Sequence, residues 1–359
     1  MNGKTKYIYA PTLDQLRELE RTVQKEIDDG VNYCEGNVTV IDIVKRYISI
    51  RKDSVRYNTT VGYNFVINLL EKEEFSKRII RTVRPSDVKI WYKKLHADGR
   101  SYSTITTVKG VMRPAFKMAV EDSVIRYNPF DFSVTEVVQN DTVNRNALSR
   151  QEQKKFLEYL TTDEYKKRYY NEVVILLETG MRISELYGLT ISDVDFILKR
   201  VKVDKQLART RLENDTGLYY IESPKTKSGN RFIPMSRRAE LAFKDAIASR
   251  KRPDIETMVG GYTGFIFLDK DGKPKVAGHL EHALQRIVAH YNDTHADKIR
   301  VTPHVLRHTF CTNMAKKGMR AKDLQYLMGH ADVSTTLNTY THVAYEDAEE
   351  AFRLVANER

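Results

Sequence analysis

The residues that could do chemistry stand in order along the second half of this chain: Arg182, Lys225, His304 with Arg307, His330 and Tyr340. In "TGMRISELYGL", Gly180 closes one helix and the next begins at once, which sets Arg182 at the junction. An arginine there either turns its rigid fork outward to grip an anion or pairs with Glu185, one helical turn on. "TPHVLRHTFCTNMAKKG" holds His304 and Arg307 at i and i+3, on one helical face near an N-terminus. That pair offers donors to a phosphate, with Leu306, Phe310 and Met314 on the other side. "ESPKTKSGNRFIPM" puts Lys225 and Lys227 in a turn between two strands, as solvated charges or as proton donors beside a nucleic-acid backbone. His330 follows Gly329 in "LMGHADVSTTLNTYTHV", ten residues before Tyr340. By itself Tyr340 reads only as a packed or exposed phenol; the basic residues ordered ahead of it make it a candidate for presentation to a bound anion.

Metal chemistry has weaker support. His304 and His308 have helical metal-ligand spacing, but "VLR" between them lacks the glutamate of an HExxH site. His279 and His282 in "GHLEHAL" are an equally weak signal. The two cysteines, Cys34 and Cys311, can build neither a disulfide framework nor a structural zinc site, and they suit a reducing cytoplasm. Neither metal nor other cofactor is expected.

These side chains need elements to hold them. A length of 359 residues suggests two domains with a small appendage. Residues 1–35 read as a lead-in, with a charged helix capped near Thr12. Residues 36–126 read as four helices, including "RPSDVKIWYKKLHADG", capped at Ser86 and stopped by Gly99, and a last helix with Pro114 inside it. Residues 127–147 turn polar and lose helical period, which marks a linker. The second domain, 148–343, opens with a capping box at Ser149 and Glu152. It passes through short β segments, "KRVKVDKQ", "GLYYIES" and "RFIPM", and returns to helices. Residues 344–359 form an amphipathic terminal helix. The class is therefore multidomain: an all-α domain followed by a mixed α+β domain, mainly helical with a small antiparallel sheet.

The formal net charge is +11. About half lies in residues 41–144 (+6) and the rest (+7) in 145–359, against −2 in residues 1–40. A basic excess spread over two large regions suits a polyanion bound across both. No apolar run approaches the ~20 residues of a membrane helix, and nothing resembles a signal peptide.

"TGMRISELYGL", "PKTKSGNRFIPM", "TPHVLRHTFCTNMAKKG" and "LMGHADVSTTLNTYTHV" together resemble the catalytic segments of tyrosine recombinases, the phage integrase family. Within it the chain looks most like the integrases of conjugative transposons. The resemblance implies that residues 36–126 are a core-site DNA-binding domain, which closes with the catalytic domain as a clamp around DNA. Residues 1–35 look like the remnant of an arm-binding domain. It makes Tyr340 the nucleophile, Arg182 and Arg307 the phosphate clamps, Lys225 the β-hairpin lysine, and His304 and His330 the remaining site members. Glu185 takes the acidic supporting position; Lys227 competes with Lys225 under a one-residue shift. Lys89, Lys93, Ser101, Ser103, Thr107, Lys109, Lys227 and Arg231 are candidates for contacting DNA.

The chemistry follows from these residue types. Two guanidinium groups can neutralise the non-bridging oxygens of a phosphodiester without a metal. A tyrosine hydroxyl attacks, and a Lys or His protonates the departing 5′-oxygen. The resulting 3′-phosphotyrosyl ester conserves the bond energy, so another strand's hydroxyl can reverse the step without ATP. The resemblance implies recombination through a Holliday junction, a DNA-bound homotetramer linked by the terminal helix, an excisionase-type accessory protein, and work in the bacterial cytoplasm at the nucleoid. The alternative is a type IB topoisomerase-like enzyme that nicks and reseals without strand exchange.

Overall fold

The computed structural model describes residues 8–28, 37–141, 146–210, 217–224 and 227–340. It divides into two compact units, residues 1–144 and 145–359.

The first unit contains α1 (Leu13–Asp28), α2 (Val40–Arg51), α3 (Tyr57–Leu70), α4 (Pro85–Ala97) and α5 (Tyr102–Glu121). Thr39 starts α2 as a reciprocal cap: its hydroxyl accepts from Asp42 N, and Asp42 accepts from Thr39 N. α4 begins earlier than the Ser86 cap expected, because Pro85 occupies its first turn, where a missing N–H is harmless. α5 continues through Pro114. One face of each of α2 to α5 supplies the core: Val40, Ile43 and Val44, then Val66 and Leu70, Val88 and Tyr92, and Ile105, Met112 and Phe116. Trp91 stacks on Phe75 with ring centres 4.4 Å apart.

The stretch expected to be a linker from residue 127 is part of this core. Phe130, Val134 and Val138 are buried in it, and the Phe130 ring lies 4.7 Å from that of Phe116. Phe132 and Val137, between them, pack against the same core as partly buried side chains, while Asp131, Ser133, Thr135 and Glu136 make the stretch look polar. The expected 35/36 boundary and the terminal helix 344–359 lie outside the described residues.

In the second unit the helices are α6 (Arg150–Leu160), α7 (Glu164–Lys167), α8 (Tyr170–Thr179), α9 (Ile183–Gly188), α10 (Arg237–Ala248), α11 (Ala277–Thr294), α12 (Pro303–Lys316), α13 (Ala321–Met328) and α14 (Val333–Tyr340). The Ser149–Glu152 capping box opens α6: Ser149 Oγ accepts from Glu152 N, and Glu152 Oε2 accepts from Ser149 N at 2.7 Å. α8 is buried from Val173 through Leu177 and packs against α10 and α12. α12 is buried nearly all round, with Val305, Leu306, Arg307, Thr309, Phe310 and Cys311 enclosed. Arg307 therefore points into the interior; the two-faced helix read from the sequence is a central one.

The strands are β1 (Val194–Asp195), β2 (Arg200–Val203), β3 (Gln206–Arg209), β4 (Tyr219–Glu222) and β5 (Arg231–Pro234). They form two antiparallel sheets, β1-β2-β5 and β3-β4. "KRVKVDKQ" is broken between these sheets by Lys205, whose buried ammonium turns inward onto Asp193 at 2.7 Å and Asp204 at 3.1 Å. Residues 223–230 therefore connect a strand of one sheet to a strand of the other. Among the described residues no helix is long and apolar enough to cross a membrane.

Candidate active site

Gly180 ends α8 in the left-handed region, with φ of 62°, and hands the chain to Arg182, the N-cap of α9. A Cβ at Gly180 would lie 2.2 Å from the Phe310 ring, so glycine alone fits there. Glu185, in the first turn of α9, is buried and accepts from Arg182 twice, through the backbone N–H and through Nη1, both at 2.8 Å. The Arg182 side chain is nonetheless 41% exposed. Pairing and outward presentation, alternatives at the level of sequence, coexist.

Glu185 has a second partner. Arg231, on β5, is completely buried and donates Nη2 to Glu185 Oε2 at 2.9 Å and Nη1 to Oε1 at 3.3 Å. Burial works to raise the Glu185 carboxyl, but Arg231, Arg182 and Arg307 outweigh it and hold it below the usual range.

The end of α13 gathers all three arginines. Gly329, with φ of 62°, terminates it in a Schellman motif: His330 N–H donates to Gln325 O at 3.2 Å, and Gly329 N–H to Tyr326 O at 3.0 Å. The next three carbonyls accept one arginine each. Leu327 O takes Arg231 Nε at 2.7 Å, Met328 O takes Arg307 Nη2, and Gly329 O takes Arg182 Nη2 at 3.2 Å. Arg307 Nη1 also donates to Gly180 O at 2.6 Å. Helix C-terminal carbonyls carry partial negative charge, which suits buried cations. Burial and the neighbouring Arg182 push Arg307 below its ordinary value, leaving it cationic at neutral pH. Three guanidinium groups gather near one carboxylate, which pairs with Arg182 and Arg231 while Arg307 donates to carbonyls; the balance is +2, and Arg182 presents that excess outward. The cluster attracts an anion.

His330 sits beside it, half-buried. Burial first, then Arg307, Arg182 and Arg231, lower its pKa to about 4, so it is neutral at pH 7. Its Nδ1 is 2.9 Å from Thr336 Oγ1. Thr336 is fully buried on α14, four residues before Tyr340, which ends that helix. His330 is thus tied to the helix that carries Tyr340; the Tyr340 side chain lies outside the described atoms.

The remaining expected residues divide. His304 is exposed in the first turn of α12, where Thr302 caps the helix by accepting from Val305 N. Lys225, and the side chain of Lys227, lie outside the described residues. Of the candidate DNA contacts, Arg231 is corrected: β5 alternates inward and outward, and Arg231 shares the inward phase with Ile233. Lys89 is paired with Glu136 at 3.1 Å, and Lys109 is half-buried and donates to Phe132 O. Burial and Arg113 lower the Lys109 pKa. Lys93, Ser101, Ser103 and Thr107 are exposed; Ser101 caps α5 by accepting from Thr104 N at 3.3 Å. Sequence reasoning missed Arg231 and Thr336 as members of the cluster. The two-residue phase of "RFIP" marks the first, and four-residue spacing from Tyr340 marks the second. Among the described residues no group of three or more His, Cys, Asp or Glu is placed to hold a metal.

Comparison with known proteins shows the family. The family model described as the phage integrase family matches residues 146–347. The transposase from transposon Tn916 of Enterococcus faecalis is 39% identical over 334 residues, covering 93% of this chain and 81% of its own. The Tn1549 transposon integrase, solved with a circular intermediate DNA, superposes with a TM-score of 0.81 at 37% identity, over 88% of this chain and 99% of that one. A lambda integrase dimer on a core site shares the fold, with a TM-score of 0.58 at 14% identity. This chain belongs to the phage integrase family: it is a tyrosine recombinase, similar to the integrases of conjugative transposons.

Proposed function

We propose that this recombinase integrates and excises a mobile element by cutting and rejoining DNA through Tyr340. It acts on double-stranded DNA. The observation that carries the reading is the guanidinium cluster, whose unbalanced positive charge surrounds Glu185 and the end of α13, one short helix before Tyr340. A phosphodiester held by Arg182 and Arg307 has its charge neutralised as the transition state forms. The Tyr340 oxygen attacks phosphorus while its proton leaves to a neighbouring base. The bond from phosphorus to the 5′-oxygen breaks, and Lys225 or His304 protonates the departing oxygen. A 3′-phosphotyrosyl ester and a free 5′-hydroxyl result, and the hydroxyl of a partner strand reverses the step. Four such exchanges proceed through a Holliday junction.

The finer parts of the proposal follow. Residues 36–126 bind the core site, residues 148–343 catalyse, and 1–35 are the remnant of an arm-binding domain. Residues 344–359 dock on the next protomer of a homotetramer. An excisionase-type protein sets direction, and the enzyme works on DNA in the bacterial cytoplasm. A nicked suicide substrate tests the core of this reading. Wild type is expected to form a covalent protein–DNA adduct in EDTA, and Tyr340→Phe none. An adduct that survives Tyr340→Phe, or one that EDTA abolishes, refutes it. Normal tetrameric synapsis after deletion of residues 345–359 would remove the exchange role of the terminal segment.

A further inference from the structure

Arg231 is the most enclosed cation of the cluster, and phosphate binding by Arg182 and Arg307 gives it no task. Its side chain has no exposure to solvent, so it does not meet DNA. Its donors are spent on three different segments. Nη1 and Nη2 hold Glu185 on α9, Nε holds Leu327 O at the end of α13, and Nη1 also reaches Gly229 O at 3.0 Å, two residues back in its own approach to β5. The fit is close. A Cβ added at Gly329 would lie 2.8 Å from Arg231 Nη1 and 3.2 Å from Ser228 O. Glycine at 329 thus lets the guanidinium pass beneath the carbonyls that receive Arg307 and Arg182.

We propose that Arg231 is a positioning residue for strand cleavage: it splints the chain entering β5, the carboxylate of Glu185 and the end of α13 into one body. Residues 227–230, which follow Lys225 in the chain, are held through Gly229 O. Arg182 is held along with them, because each Glu185 oxygen accepts from both arginines: Oε1 from Arg182 Nη1 and Arg231 Nη1, Oε2 from Arg182 N and Arg231 Nη2. His330 is placed because it follows the carbonyls that Arg231 helps anchor. A lysine has a single nitrogen and cannot span these acceptors; a methionine spans none.

Without Arg231, Glu185 retains Arg182 as its nearest cation and draws that guanidinium inward, away from the scissile phosphate. The DNA contacts of the rest of the chain remain. Binding is therefore preserved while the cleavage step slows, since a misplacement near 1 Å costs about 100-fold in rate. Replacing Glu185 by glutamine in the same chain removes the buried charge that retracts Arg182, and so restores part of the rate.

The inference rests on the proposed cleavage by Tyr340, and the experiment separates the two. Single-turnover cleavage of a nicked suicide substrate, DNA affinity by titration, and the folded fraction from thermal melting are measured for wild type, Arg231→Lys, Arg231→Met and Arg231→Met/Glu185→Gln. The expected result is affinity within about twofold of wild type and cleavage per folded molecule reduced about 10- to 100-fold in both single variants. The double variant should exceed Arg231→Met by at least about fivefold, a recovery that loss of a structural prop alone does not give. Should Arg231→Met not fold, Arg231→Lys carries the same comparison, paired with Glu185→Gln. Cleavage per folded molecule equal to wild type overturns the proposal. So does a loss of affinity that matches the loss of rate, or a double variant no faster than the single. Absence of any adduct in wild type would instead overturn the Tyr340 reading.

Discussion

Gly180→Ala tests whether the junction between α8 and α9 is as tightly determined as its geometry indicates. The residue has φ of 62°, and holding a non-glycine residue there costs about 1–2 kcal/mol. The new methyl would also lie 2.2 Å from Phe310 Cδ1 and 2.9 Å from Cε1. Phe310 is buried in a cluster with Cys311, Leu324 and Met328, so the ring has little room to withdraw, and such overpacking costs about 1–3 kcal/mol. Together these give about 2–5 kcal/mol, a large share of a typical stability of about 5–15 kcal/mol. Thermal melting of the full chain should show the transition of unit 145–359 lowered by about 4–20 °C, at roughly 2–4 °C per kcal/mol. Gly180 O also receives Arg307 Nη1 at 2.6 Å, so cleavage should fall further than the folded fraction does. Phe310→Leu removes the ring atoms in question, and the double variant should cost less than the two single changes added. A melting temperature within about 1 °C of wild type would refute the reasoning, as would strict additivity with Phe310→Leu.

Three further expectations concern neighbouring features. His330 has a folded pKa of about 4 against 6.5 unfolded, so between those values only the unfolded chain takes up its proton. Its contribution to stability is therefore complete above pH 6.5 and is lost as pH falls toward 4; His330→Gln should flatten that part of the denaturation profile, and an unchanged slope would contradict it. Thr336→Val keeps the shape of a fully buried side chain but removes the 2.9 Å contact with His330. A loss of about 1 kcal/mol in urea denaturation, with faster hydrogen exchange along α14, is expected. Phe130→Ala should lower the stability of the first unit by about 3–5 kcal/mol in chemical denaturation, and a change under about 1 kcal/mol would restore the linker reading.

Much of this molecule was legible in its sequence because the signals are local. Ser149 with Glu152 announces the start of α6, and Gly180 and Gly329 announce helix ends, since each depends on a few adjacent backbone groups. Arg182 was legible at such a boundary, whereas His330 and Tyr340 were named by the resemblance of their segments to a known family and not by local signals of their own. Phe130 was obscured because Phe130, Phe132, Val134, Val137 and Val138 follow neither a helical nor a strand period and alternate with polar residues.

The tertiary structure decided what the charges do. The alternation in "RFIPM" puts Arg231 in phase with Ile233, but nothing local to it supplies the partners that let a cation be buried there. Those partners are Glu185, 46 residues earlier, and Leu327, 96 residues later. The inward turn of Arg307 is likewise decided by the carbonyls of Gly180 and Met328. A buried cation is tolerated only where acceptors from several segments converge, and convergence of distant segments is a property of the folded chain. The order of the candidate residues was written in the sequence; which arginine is exposed and which is enclosed was settled by packing.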